Sequence, residues 1–213
     1  MSLSPSGIVS IVRSQLYDSS QSFWSDTDIY NYLTQAQNIV ASVTSSLKTS
    51  SVVSGVAGQR TYLRPSNAID IYRITWNNYP LTKIDINEID RIEGTSYNFV
   101  ASSGNCEYYY EDGNSIGLSP VPNESKDILV YYSFVPTPLT ASSTTFSIPD
   151  EYVYDLIEYA LYRAYSKDDN DGRAMNYKRL WDMNLEKITR SVSRRNRSND
   201  KFVVKDSSSY TIL

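Results

Sequence analysis

The chain of 213 residues contains no histidine. That absence removes the side chain whose ordinary pKa lies nearest neutrality and the commonest metal ligand. A nucleophilic triad would then need lysine or a carboxylate as its base, and no G-x-S-x-G elbow offers the nucleophile. Cysteine occurs once, as Cys106, which excludes an intrachain disulfide and any multi-cysteine zinc site. Glycine is sparse, and no glycine-rich phosphate loop exists, since Gly113 and Gly117 flank a hairpin strand instead of opening a helix. No apolar run approaches the roughly 20 residues that a membrane span needs, and the N-terminus lacks a charged-then-apolar signal pattern. The reading is a soluble, cytosolic product with no membrane partner. Phenylalanine occurs five times against nineteen tyrosines, a skew towards half-buried aromatics that suit interfaces. The net charge of −4 argues against wrapping nucleic acid over the whole surface. With 40% hydrophobic and 21% charged residues, the composition is that of a globular protein with a real core.

The stretch Ser147 to Val192 organises the chain and reads as a helical hairpin. Ser147 with Asp150 predicts a capping box, with Pro149 inside the first turn. Val153, Leu156, Ile157, Ala160, Leu161 and Ala164 then recur at helical spacing. Asp168, Asp169, Asn170, Asp171 and Gly172 interrupt that stripe with turn residues. A second stripe follows in Tyr177, Leu180, Trp181, Leu185, Ile188 and Val192. Leu156 and Trp181 are the expected core contacts of this pair. Neither helix can bury its stripe alone, so other parts of the chain must cover them.

Two helices are expected nearer the N-terminus. Ser4 to Tyr17 presents Ile8, Ile11, Val12 and Gln15/Leu16 on one face. Ser25 to Leu47 opens with a capping box of Ser25 and Asp28, and Trp24 can staple onto Ile29. Ile29, Tyr32, Leu33, Ala36, Val40, Val43 and Leu47 form its apolar face, opposite serine, threonine, glutamine and asparagine. From about Ser50 the period changes. Thr49 to Gly58 predicts a loop or flexible edge, and Ile69 to Trp76 alternates as a strand. Asn77-Asn78 signals a turn, from which Tyr79 to Ile84 is expected to pair back. Asp85 caps a short helix, Ile86 to Ile92, and Gly94 to Asn105 reads as a loop. Glu107–Glu111 and Ser115–Leu118 form a hairpin across Asp112-Gly113, and Ile128 to Phe134 is a further strand closed by Pro136 and Pro138. The fold class is α+β. N- and C-terminal helices make a bundle (1–48 and 147–197), with a small antiparallel β insertion (49–146) and an extended C-terminal tail (198–213).

Candidate chemistry is thin. Asp168, Asp169 and Asp171 resemble a calcium loop only superficially, because the glutamate expected at its last position is Arg179. Glu107 and Glu111 share a strand face and could serve glycosidic chemistry, though surface solvation is the simpler reading. Tyr108-Tyr109-Tyr110 with Tyr131-Tyr132 could be a stacking platform for a sugar or a base, or cross-strand pairs that hold a sheet. Arg190, Arg194, Arg195 and Arg197 form a basic run at the end of the last helix, where cations suit a helix C-terminus and could also reach a partner. Beyond them Phe202-Val203-Val204 and Tyr210 to Leu213, with Ile212, are β-prone apolar patches poorly suited to water.

The run Tyr109-Tyr110-Glu111-Asp112-Gly113-Asn114-Ser115-Ile116-Gly117-Leu118-Ser119-Pro120-Val121-Pro122 precedes the Ile128–Phe134 strand and Pro136-Thr137-Pro138-Leu139. Ile148-Pro149-Asp150-Glu151-Tyr152 then opens a helix ending in Ala160-Leu161-Tyr162-Arg163-Ala164-Tyr165. Together with the Trp24-Ser25-Asp26-Thr27-Asp28-Ile29 helix start, this order resembles the head-to-tail adaptor (connector) proteins of tailed bacteriophages over residues 8 to 192. The resemblance implies a structural virion protein with no enzymatic activity and no cofactor. Such proteins form a homo-oligomeric ring, commonly of twelve copies, between the portal protein and a downstream tail or nozzle protein. Genomic DNA passes through the channel without specific binding. The chain would be found at the virion's head–tail interface, and in the host cytoplasm during assembly. On this reading Arg190, Arg194, Arg195, Arg197, Phe202, Val203, Val204, Tyr210, Ile212 and Leu213 contact the portal or a neighbouring copy. The alternatives are a carbohydrate- or receptor-binding tail module and a glycosidase with a site lacking histidine.

Overall fold

The computed structural model describes residues 4–18, 20–93 and 103–199. Helix α1 (Pro5–Leu16) is capped by the Ser4 hydroxyl, which accepts the Gly7 N–H at 3.2 Å, and it stops where Tyr17 turns left-handed. Helix α2 (Asp26–Thr44) starts on the expected capping box. Ser25 Oγ accepts from the Asp28 N–H, and the Asp28 carboxylate accepts from the Ser25 N–H. Ser45, at φ 47°, ends α2 short of Leu47, so Leu47 is buried beyond the helix and Val43 stays exposed. The expected apolar face therefore stops one turn early.

The segment expected as a loop or flexible edge is an edge strand, β1 (Lys48–Ser54). Its small polar side chains alternate between half-buried and exposed, as one side of a sheet edge allows. Then come β2 (Thr61–Leu63), β3 (Ala68–Trp76), β4 (Tyr79–Pro80), β5 (Thr82–Lys83) and helix α3 (Ile86–Glu93), whose start is held by Asp85 accepting the Asn87 N–H at 2.8 Å. After them come β6 (Ser103–Gly104), β7 (Tyr108–Asp112), β8 (Ser115–Ser119), β9 (Val121–Pro122) and β10 (Asp127–Phe134).

These strands form three sheets where one antiparallel sheet was expected. One has the order β1-β10-β3-β4, the second β2-β8-β7-β5, and β6 pairs with β9. The β3–β4 hairpin turns at Asn77 and Asn78, both left-handed, but only Tyr79 and Pro80 pair back. Leu81 is buried in the core, and Thr82–Lys83 crosses over to pair parallel with β7, so the expected Tyr79–Ile84 hairpin arm is split between two sheets. In β3 the register against β10 steps over Tyr72. That bulge shifts the alternation, so Ile71 and Ile74, three residues apart, are both buried.

Helix α4 (Leu156–Lys167) follows a 3-10 turn (Asp150–Tyr152), and α5 (Asp171–Asn199) runs back along it. The expected Ser147–Asp150 capping box is absent. The Ser147 N–H donates instead to Gln37 Oε1 at 2.9 Å, and no side chain caps the 3-10 turn. The α4 stripe is buried as expected, from Val153 to Ala164. In α5 Trp181, Ile188 and Val192 are buried and Tyr177 and Leu185 half-buried, but Leu180 is exposed because it points about a quarter-turn away from the Trp181–Ile188 line.

The arrangement is α+β. One hydrophobic core belongs to α1, α2, α4 and α5, with Leu156 and Trp181 inside it. A second is shared by the two larger sheets. Phe134 packs against both cores, and its N–H donates to Leu47 O at 3.0 Å where the chain enters and leaves the strands.

Candidate assembly interface

Helix α5 is the longest element, and its sequence gives it two different faces. The inner face places Trp181 edge-on to Tyr159, ring centres 5.1 Å apart, and stacks Tyr177 on Tyr165. From Asp171 to Asn199 eight basic side chains stand against three acidic ones, within a chain of net charge −4. The basic surplus is therefore concentrated on one helix, and the rest of the molecule is strongly acidic. On the outer side Met175, Leu180 and Met183 are 65%, 44% and 60% exposed, and Arg179, Lys187, Arg190 and Arg194 are exposed around them. Lys178 pairs with Asp182 at 2.6 Å and Arg190 with Glu186, both one turn away.

The predicted arginines have different fates. Arg195 is spent within its own chain: its two terminal nitrogens donate to the two oxygens of Glu151 at 2.7 and 2.9 Å, tying the end of α5 to the turn before α4. This hydrogen bonding holds the Glu151 carboxyl below its ordinary value and raises Arg195. Arg190 is engaged with Glu186, while Arg194 is exposed with no ion pair among the described residues. The Arg197 side chain and Phe202, Val203, Val204, Tyr210, Ile212 and Leu213 lie outside the described residues. The sequence reading passed over Met175 and Met183. Their signal was available, because both fall off the buried stripe on a helix whose other outward positions, Leu180 apart, are mostly polar or charged.

A shallow cleft of about 530 Å³ adjoins the same helix, lined by Gln15, Tyr17, Tyr165, Arg173, Tyr177 and Leu180. Tyr17, 90% exposed, stands beside it with no burial to explain its aromatic ring.

The other candidates dissolve into structure. Glu111 pairs with Lys83 at 2.6 Å and Arg64 at 3.6 Å, so it is no free partner for Glu107. The five tyrosines are not one platform. Tyr109 and Tyr132 are in the core and Tyr110 lies over Gly117, while Tyr131 faces out with Tyr72 and Arg73 beside it. Cys106 is buried, its thiol pushed up to about 11 by that burial, and its Sγ donates to Pro120 O at 3.3 Å. Among the described residues no group of three acidic or cysteine side chains is placed to hold a metal ion, and no helix is long and apolar enough to cross a membrane.

No curated protein matches the chain. A family profile described as SU10 adaptor protein matches residues 6–202. That match runs from the first turn of α1 to past the end of α5, and on it the chain belongs to the SU10 adaptor protein family.

Proposed function

We propose that this chain is a head-to-tail adaptor whose copies form a ring between the portal protein and the next tail component, around the DNA exit channel. Family membership makes it a structural adaptor protein of the phage virion. The ring, the portal contact and the channel are the further content of the proposal. The observation that carries it is the outer face of α5, where exposed methionines and a leucine stand among arginines. Methionine and arginine are enriched where subunits meet. An acidic body complements that basic helix, so α5 of one copy rests on the next copy in a head-to-tail contact. Such contacts close into a ring when the rotation per copy divides a full turn, and the phage adaptors that the sequence resembles commonly close at twelve.

With α5 covered, the surface left to the channel is acidic, which repels the DNA backbone and lets it slide without specific binding. The C-terminal stretch from Arg190 to Leu213 is the portal clamp. Arg194 and Arg197 supply bidentate donors, and Phe202, Val203, Val204, Tyr210, Ile212 and Leu213 supply apolar and strand-adding segments. In this proposal the bundle (1–48 and 147–197) forms the ring, and the β insertion (49–146) meets the downstream tail or nozzle protein. The extension 198–213 reaches the portal. The chain passes from the host cytoplasm, where assembly occurs, into the head–tail interface of the virion.

The test is assembly on portal-bearing heads, with copy number read by particle mass. The intact chain should add a full ring. Met183→Glu combined with Arg179→Glu should abolish the ring while the monomer keeps its helical circular dichroism. Truncation after Val192 should leave the fold but weaken portal attachment at least tenfold. Isolated copies on virions, or full attachment by the truncated chain, would refute the ring and the clamp respectively.

A further inference from the structure

The β region holds a groove of about 620 Å³ on the side where the Asn77–Asn78 turn and the start of β7 meet. Its walls include Trp76, Tyr79, Pro80, Tyr108, Glu107 and Glu124. The volume is that of a specific ligand site, and among the described residues the lining joins aromatic rings to carboxylates with no basic side chain. Tyr79 is 69% exposed at the end of a tight turn and stacks on no other ring among the described residues. Trp76 is only 4% exposed, and its indole N–H is buried without an acceptor. A buried donor left unpaired destabilises the protein, a cost that an arriving carbonyl oxygen would remove. The only ion pair of these acids among the described residues is Glu124 with Lys126, at 3.2 Å on the exposed surface.

We infer that this groove docks an extended, proline-containing segment of another protein, one that carries an arginine or lysine. Aromatic-lined grooves receive polyproline II segments because such chains arrive preformed and lose little entropy. Their backbone carbonyls have no internal partner, so one is free to take the Trp76 N–H when the lining of the groove yields. Glu107 and Glu124 then attract the basic side chain, whose cation can lie over Tyr79 or Tyr108. A sugar fits less well, since the faces of the Trp76 ring are covered and offer no flat surface for stacking. This inference concerns a different surface from α5 and needs neither ring nor portal, so its outcome is separate from that of the adaptor proposal.

Fluorescence anisotropy on the full chain tests it, with a fluorescein-labelled peptide of three Arg-Pro-Pro repeats as probe. Peptides of Glu-Pro-Pro and Arg-Gly-Gly repeats are the controls. The Arg-Pro-Pro probe should bind saturably and both controls at least tenfold more weakly. Tyr79→Ala, at an exposed position that leaves the fold intact by circular dichroism, should weaken binding at least tenfold. Glu107→Gln with Glu124→Gln should do the same and flatten the salt dependence. Trp76→Phe should weaken binding about fivefold, which is what one neutral hydrogen bond is worth. No saturable binding of the probe, equal binding of either control, or an unchanged affinity in Tyr79→Ala overturns the inference. So does retention of an oligosaccharide in place of the peptide.

Discussion

Gly117 stands opposite Tyr110 in the β7–β8 hairpin, and a Cβ at Gly117 would fall inside the tyrosine ring. The ring covers the glycine, as aromatics do across glycine in sheets. Gly117→Ala should therefore cost about 1–3 kcal/mol, as overpacking does, measurable as a lower urea midpoint. Adding Tyr110→Ala to that variant should recover part of the loss. Asp18 is a second residue whose setting matters. Its carboxylate accepts the N–H groups of Trp24, Ser22 and Phe23 and the Ser22 hydroxyl, with Arg13 3.9 Å away. The Trp24 N–H is the largest influence holding it far below its ordinary 3.8. Hydrogen bonding from the Ser25 hydroxyl, then Lys167, likewise lowers Asp28. Such groups stabilise the fold above their ordinary values, and that contribution is lost as acid protonates them. Asp155 and Glu158 act oppositely, because burial raises both above their ordinary 3.8 and 4.5. Charging them opposes folding at neutral pH, and protonation relieves it. Stability should thus hold or rise from pH 7 towards about pH 5 and fall below about pH 4, and Asp18→Asn should flatten only the acid limb. None of this follows from local pattern: Arg13 and Asp18 are buried by the loop between α1 and α2, whose backbone they bind.

Helix α2 shows what a pattern can and cannot reveal. Its capping box and its Ile29–Leu33–Ala36–Val40 stripe follow from spacing alone and are found where the spacing puts them. Its spacing sets serine, threonine, glutamine and asparagine opposite the stripe, yet Thr34 and Gln37 are buried. Thr34 Oγ1 accepts the Leu139 N–H at 2.9 Å, and Gln37 accepts that of Ser147 at the same distance. These partners lie over a hundred residues away, so no local window could reveal them. Gln37→Leu should cost about 1–3 kcal/mol by stranding the Ser147 N–H, read from equilibrium unfolding. The bulge at Tyr72 and the crossing of Thr82–Lys83 to a second sheet escaped for the same reason, being set by the neighbouring strand. The candidate interface was half legible. The basic run of α5 is plain in the sequence, but which arginines stay available depends on Glu151, more than forty residues earlier.

For the whole molecule, the two cores meet at Phe134, so thermal unfolding of the intact chain should be a single transition and Phe134→Ala should split it in two. Replacing 49–133 by a short glycine linker should leave a helical remnant that unfolds cooperatively. An unfolded remnant with a sound linker would show that the bundle needs the strands. The feature behind both expectations is the hydrogen bond between Leu47 and Phe134, which with the adjoining β1–β10 ladder sets the two ends of an 86-residue excursion side by side. A segment whose ends touch can be exchanged as one block by genetic recombination, because the remaining helices meet the same two attachment points whatever is carried between them. If the proposed division of labour holds, a phage lineage would in that way trade the part that meets a tail protein while keeping the part that forms the ring.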